Sequence, residues 1–205
     1  MRYEKYDLLA DARRVHHYLT TMVDPARDHL PYWLIGANVN PAWARHCRVD
    51  DAELAASWYE ALYCTRQILE TDDGAEVLDG FRRHLLKSWG PKGLRYHETY
   101  PWTHTMHSSF HEMGYVLPAL LRLLEAEPDH IEAKARLTEA VRGMRRLVYE
   151  RKIQTFWSGD FPFEEQPIYE FPQDIYLLEG GWDPARVTGR GESAVRNGIM
   201  LHALV

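Results

Sequence analysis

Apolar residues recur along most of this chain at helical spacing. Leu8, Ala12, Val15, Leu19 and Met22 predict a first helix from Lys5 to Met22. Asp50 followed by Glu53 reads as a capping box opening a second, with Leu54, Trp58, Leu62, Ile68 and Leu69 facing inward. Asp73 and Glu76 repeat the device for a third, whose stripe is Val77, Leu78, Phe81, Leu85 and Trp89. A fourth is predicted from His107 to Ala126, with Phe110, Met113, Leu117, Leu120, Leu121 and Leu124 inward. Pro118 lies inside it and is expected to kink it near Gly114. Asp129 and Glu132 cap a fifth, with Leu137, Val141, Met144 and Val148 as its stripe. A sixth starts near Ser193 and is still apolar, at Ile199, Met200, Leu201 and Leu204, near the last residue. No run alternates as a strand of a large sheet would, and short strand pairs are expected only in connections, such as Leu94 to Tyr96. The expected class is all-α, built from antiparallel helical hairpins.

The links between helices alternate in length. Helices two and three, and four and five, are joined by short links around Thr71–Asp73 and Glu127–Asp129. The other connections are long, about 27, 16 and 42 residues, and long connections are usually functional. If each helix reverses direction, the short links fall at one end and the long loops form one face at the other. Most of the seven Trp and eleven Pro lie in those long segments, so the loops are expected to be ordered.

Composition narrows the partners. Thirty acidic against 24 basic side chains leave a net charge of −6 over 205 residues, which argues against nucleic acid. No stretch approaches the roughly 18 apolar residues of a membrane span, and the first residues lack the apolar region of a secretory signal. Two cysteines, Cys47 and Cys64, suit a reducing cytoplasm. The 205 residues are expected to form a single all-α domain.

The long segments interleave aromatics with carboxylates, which suits carbohydrate. The apolar face of a sugar ring can lie on Trp33, Trp43, Tyr100, Trp102 or Trp157, while acids and imidazoles take its hydroxyls. Glycoside hydrolysis needs two carboxyl groups flanking the scissile bond. Glu98, Asp160, Glu164, Glu165, Glu170 and Asp174 are the candidates, with His104 and His107 assisting and Arg190 orienting substrate. His107 and His111 stand four apart, a metal-ligand spacing on a helix, but the zincin glutamate and a cysteine set are missing. No metal or cofactor is expected. The glycines at 180, 181, 189 and 191 lack the lysine and the preceding strand of a phosphate loop.

Capped antiparallel helices with aromatic, acidic loops at one end resemble the six-hairpin glycosidase-like (α/α)6 toroids. The local likeness lies in Tyr100-Pro101-Trp102-Thr103-His104 and in Thr188-Gly189-Arg190-Gly191-Glu192-Ser193, each leading into a helix. The resemblance implies a sugar site in a funnel at the long-loop end. Six helices are half of what a closed toroid needs, so the chain is expected to be the N-terminal half of a longer catalytic domain, or to pair with a second copy. The expected function is that of a carbohydrate-active enzyme, a glycoside hydrolase acting on an oligosaccharide or glycoside by general acid/base catalysis. A polysaccharide lyase, with His or Tyr abstracting a proton, is the alternative enzyme, and a non-catalytic sugar-binding or interaction scaffold the alternative class.

Overall fold

Small side chains set how closely the first helices approach. Along α2 (Asp51–Leu69) the buried positions are Ala52, Ala55, Ala56, Tyr59, Leu62 and Thr65. Their three- and four-residue spacing makes one stripe, and its alanines let neighbouring backbones come near. α1 (Leu8–Thr21) and α3 (Ala75–Leu86) both pack on α2. The computed structural model that shows this describes residues 7–46, 51–90, 93–96, 106–147, 149–154, 165–170 and 174–177. These residues are mostly helical, with α4 (Phe110–Ala126) and α5 (Ile131–Leu147) completing five helices among them.

The chain divides into two compact units. The first comprises residues 1–87 and 115–134, the second residues 88–114 and 135–205. In the first, Phe81, Leu85 and Val77 of α3 join Leu62 of α2 and Val116, Leu117, Leu120 and Leu123 of α4 among the buried residues. Full burial of each such side chain contributes about 1.5–3 kcal/mol. Trp58 meets Phe81 edge-on, with centroids 6.2 Å apart, and Tyr18 lies 5.3 Å from Trp58. Arg82 makes a fork-like pair with Glu127, at 2.7 and 2.9 Å. Burial holds the Tyr59 hydroxyl well above its ordinary pKa.

In the second unit, Gly90 and Leu94 close a tight turn, and Trp89 bridges to Arg95. The short pairing expected near Leu94 is therefore present. Gly93, at φ +70°, lies against the backbone of α5, where a Cβ would fall 2.3 Å from the Glu139 carbonyl oxygen. Tyr96 is fully buried, and desolvation pushes its hydroxyl up to about 12. Strand β5 (Met106–Ser109) pairs antiparallel with β8 (Asp174–Leu177), and β6 (Tyr149–Gln154) with β7 (Glu165–Glu170).

Several expectations change. The fourth helix begins at Phe110, because residues 106–109 are extended. His107 therefore sits on a strand, opposite Tyr176, and does not share a helix face with His111. The inward face of α1 is carried by His16 and Leu19, leaving Leu8 72% and Val15 45% exposed. Likewise Leu121 and Ile68 are exposed and Leu123 is buried. Asp73 does not cap α3: Gly74, at φ +73°, holds the N-cap position, and no side chain caps it. In α5 the cap is His130, whose Nδ1 accepts from the Ala133 N–H at 3.2 Å, rather than Asp129. Asp50 and the sixth helix lie outside the described residues.

α2 ends in a six-to-one turn. The Thr71 N–H donates to the Arg66 carbonyl and the Glu70 N–H to that of Gln67, with Glu70 left-handed at φ +50°. Glycine is the usual occupant of that position, and a side chain there costs about 1 kcal/mol.

Candidate functional site

The first long connection is not structureless. It holds two small antiparallel ribbons within the first unit. Val23–Asp24 (β1) pairs with Leu30–Pro31 (β2) around a 3-10 turn, Pro25–Arg27. Leu34–Gly36 (β3) then pairs with Trp43–Arg45 (β4).

The β1–β2 turn is strapped along the flank of α3. The Asp24 carboxylate accepts from the Ala26 N–H at 3.0 Å, which starts the 3-10 turn. Asp28 and His29 follow in left-handed conformation, at φ 58° and 60°. The Asp28 carbonyl oxygen lies over Gly80 of α3, where a Cβ would come within 2.5 Å of it. The buried His84 ring donates Nε2–H to the carbonyls of Arg27 and Asp28, both at 3.1 Å. Arg83 holds both oxygens of the Asp28 carboxylate, its Nε at 2.8 and 2.9 Å and Nη2 also in contact. That hydrogen bonding keeps the Asp28 carboxyl below its ordinary value and raises Arg83. His29 Nε2 stands 3.4 Å from Glu76.

A second clasp joins the two ribbons. His46, just after β4, places Nε2 2.9 Å from Asp24 Oδ2 and Nδ1 3.2 Å from the Pro31 carbonyl oxygen. Its ring stacks on Tyr32, with centroids 4.8 Å apart. The His46 contact is the largest cause lowering the Asp24 carboxyl.

Beyond this clasp the β3–β4 ribbon turns apolar side chains to solvent. Trp33 and Trp43 are 41% and 39% exposed, and Leu34, Ile35 and Val39 are exposed beside them. The Trp43 indole lies across the opposite strand on Gly36, where a Cβ would be 2.5 Å from the ring. The Arg45 guanidinium sits 4.9 Å from the centroid of the same indole. The Trp33 N–H donates to the Arg45 carbonyl at 3.1 Å, extending the ribbon by one bond.

The two expected stacking residues of the first connection, Trp33 and Trp43, thus stand on one ribbon. Glu98, Tyr100, Trp102, His104, Trp157, Asp160, Glu164 and Arg190 lie outside the described residues. Glu165 and Glu170 are on β7 and Asp174 on β8, with Glu170 opposite Tyr149 and Asp174 opposite Ser109. Sequence reasoning missed His46, Arg45, Gly80, Arg83 and His84. Arg83 and His84 carried only the weak signal of basic residues in a last helical turn, and His46 none. Among the described residues no group of three or more His, Cys, Asp or Glu is arranged to hold a metal ion. None of their helices is long and apolar enough to cross a membrane. No family model matches the chain, and neither a curated protein nor a solved structure matches it.

Proposed function

We propose that the chain is a carbohydrate-active protein and that its β3–β4 ribbon offers a stacking surface to sugar rings. The observation that carries this reading is the pair Trp33 and Trp43, both well exposed on a ribbon whose base is tied down by His46, Asp24 and Tyr32. Large exposed apolar patches mark contact surfaces, and an indole presents a flat apolar face to a ring's C–H groups. Within this reading the reaction is glycoside hydrolysis in the cytoplasm. Glu98, Asp160 and Glu170 are the acid/base candidates, His104 and His107 assist, and Tyr100, Trp102, Trp157 and Arg190 complete the substrate contacts. The architecture proposed with it is part of an (α/α)6 toroid.

The test is titration of the protein with neutral and acidic oligosaccharides, followed by tryptophan fluorescence and by release of reducing ends. Saturable binding that falls about tenfold or more in Trp33→Ala and Trp43→Ala is expected. Binding indifferent to both substitutions would sink the assignment of the ribbon. An unsaturated product absorbing in the near ultraviolet would replace hydrolysis by elimination. Leu34, Ile35 and Val39 favour a second reading, a protein-docking ribbon, because aliphatic side chains add area without a stacking face. Self-association lost in Ile35→Asp, with no glycan bound, would select it.

A further inference from the structure

His46 is placed so that both of its ring nitrogens face acceptors. Nε2 lies 2.9 Å from Oδ2 of Asp24 on β1, and Nδ1 lies 3.2 Å from the carbonyl oxygen of Pro31 on β2. The pair is largely shielded from water, the His46 side chain being 13% exposed and that of Asp24 20%. Tyr32 stacks on the ring. A neutral imidazole carries one N–H and one lone pair, whereas the cation donates from both nitrogens. A carbonyl oxygen can only accept, and so can a carboxylate that has lost its proton. Only the imidazolium satisfies both contacts at once. His84 provides the contrast, since its two carbonyls share the single nitrogen Nε2 and one N–H answers both.

The surrounding charges leave this requirement in place. The Asp24 carboxyl is held below its ordinary value, with the His46 contact the largest cause, so it is ionised at neutral pH. Arg27 on the 3-10 turn adds to that hold, its Nε lying 4.0 Å from the same Asp24 oxygen. The other Asp24 oxygen accepts from the Ala26 N–H. Arg45, next to His46 in the chain, has its guanidinium on the Trp43 indole. Among the described residues no acid or base of α2 or α3, the helices that pack on β2, pairs with His46 or Asp24.

We propose that the His46 clasp is a proton-dependent latch at the base of the β3–β4 ribbon, closed while the ring is cationic and half released once it is neutral. When the ring gives one proton to water, one of the two contacts sets lone pair against lone pair and parts, while the other holds. The residue that ends β4 is then tied to the first ribbon at one point instead of two, next to the strands that carry Trp33 and Trp43. Acid favours closure and alkali release, the opposite sign to the Asp28–Arg83 pair. The latch is independent of what the ribbon binds.

Amide hydrogen exchange of the full chain at about pH 5.5 and about pH 8.5, on either side of the ordinary imidazole value, tests it once each rate is corrected for the intrinsic rate at that pH. The Trp33 N–H, which donates to the Arg45 carbonyl beside the clasp, is the reporter. The Tyr96 N–H, bonded to the Ser88 carbonyl in the second unit, is the control. Trp33 protection is expected to fall about fivefold or more at the higher pH while that of Tyr96 holds. Histidine ring 15N resonances are expected to show both His46 nitrogens protonated at the lower pH. Asp24→Asn separates a latch from a purely structural contact. Its Oδ1 can still accept from Ala26 while its Nδ2–H donates to the Nε2 lone pair of a neutral ring, so Trp33 protection is expected to survive at the higher pH. His46→Gln, which has no titrating ring, is expected to give equal protection at both pH values. Equal Trp33 protection at both pH values in the unaltered chain would overturn the proposal. So would a neutral His46 ring at the lower pH, or a fall that persists in both variants.

Discussion

The two ribbons of the first connection are near neighbours in sequence and opposite in how they use their side chains. The β1–β2 turn is rich in charge, and its charge is consumed. Asp24 serves the 3-10 turn and His46, and Asp28 serves Arg83, while the carbonyls of Arg27 and Asp28 serve His84. The β3–β4 ribbon is mostly apolar, and its apolar surface is left facing water. Acids in a long loop look like chemistry when read as sequence. In the first connection Asp28 fastens the chain to α3 and Asp24 holds the 3-10 turn and His46, and the surface left facing water is aromatic and aliphatic.

Substitutions can test that division, beginning with the strap. Gly80→Ala places a methyl group against the Asp28 carbonyl, a rigid backbone atom, and is expected to cost about 3 kcal/mol, read from the urea midpoint. A loss below about 0.5 kcal/mol would mean that the turn lifts off α3 easily. His84→Ala leaves two carbonyls without their buried donor and is expected to cost about 2 kcal/mol by the same measurement.

Acid titration separates the ribbons next. The Asp24 and Asp28 carboxyls are both held below their ordinary 3.8. Their contribution to stability is therefore fully present above about pH 4 and is lost as pH falls through the lower folded values. Asp28→Asn should flatten that fall in a midpoint-against-pH series. An unchanged slope would mean that the Arg83 pair is screened to nothing by water. Trp33→Ala and Trp43→Ala sit at the small end. Each should move stability by no more than about 1 kcal/mol, Trp43→Ala the more of the two because its indole also covers Gly36 and meets Arg45. A larger loss would make the ribbon a structural element like its neighbour.

Much of the helical frame was legible in the pattern of apolar residues, and the short links between α2 and α3 and between α4 and α5 fell where it put them. Val77, Phe81 and Leu85 turn inward on α3 as their spacing requires. α1 was misread because Leu8, Val15 and Leu19 make one stripe at helical spacing, yet only Leu19 of them is buried and the covered face is turned toward His16. His16 packs beside Thr65, a contact 49 residues away in sequence. The ribbons were illegible because strands of two or three residues carry no alternation to detect. Their register rests on the Asp24–His46 pair and on Gly36 beneath Trp43, both of which are tertiary facts. Extended residues before Phe110 were hidden by Met106 and His107, which fit a helix as readily as a strand. Trp33 and Trp43 were legible as aromatics of one loop, but their sharing of a ribbon was not.

The path of the chain also limits how the protein can be divided. It leaves the first unit after Lys87, re-enters it inside α4 at Tyr115, and leaves again inside α5 after Lys134. Neither unit is therefore a continuous stretch of sequence. A gene fragment or proteolytic product that ends at the crossing in α4 carries portions of both units and the whole of neither, and one that ends at the crossing in α5 carries the whole first unit with a piece of the second still attached. Modular reuse of one unit would require splicing two separate segments around a new connection, and a single recombination point cannot supply that.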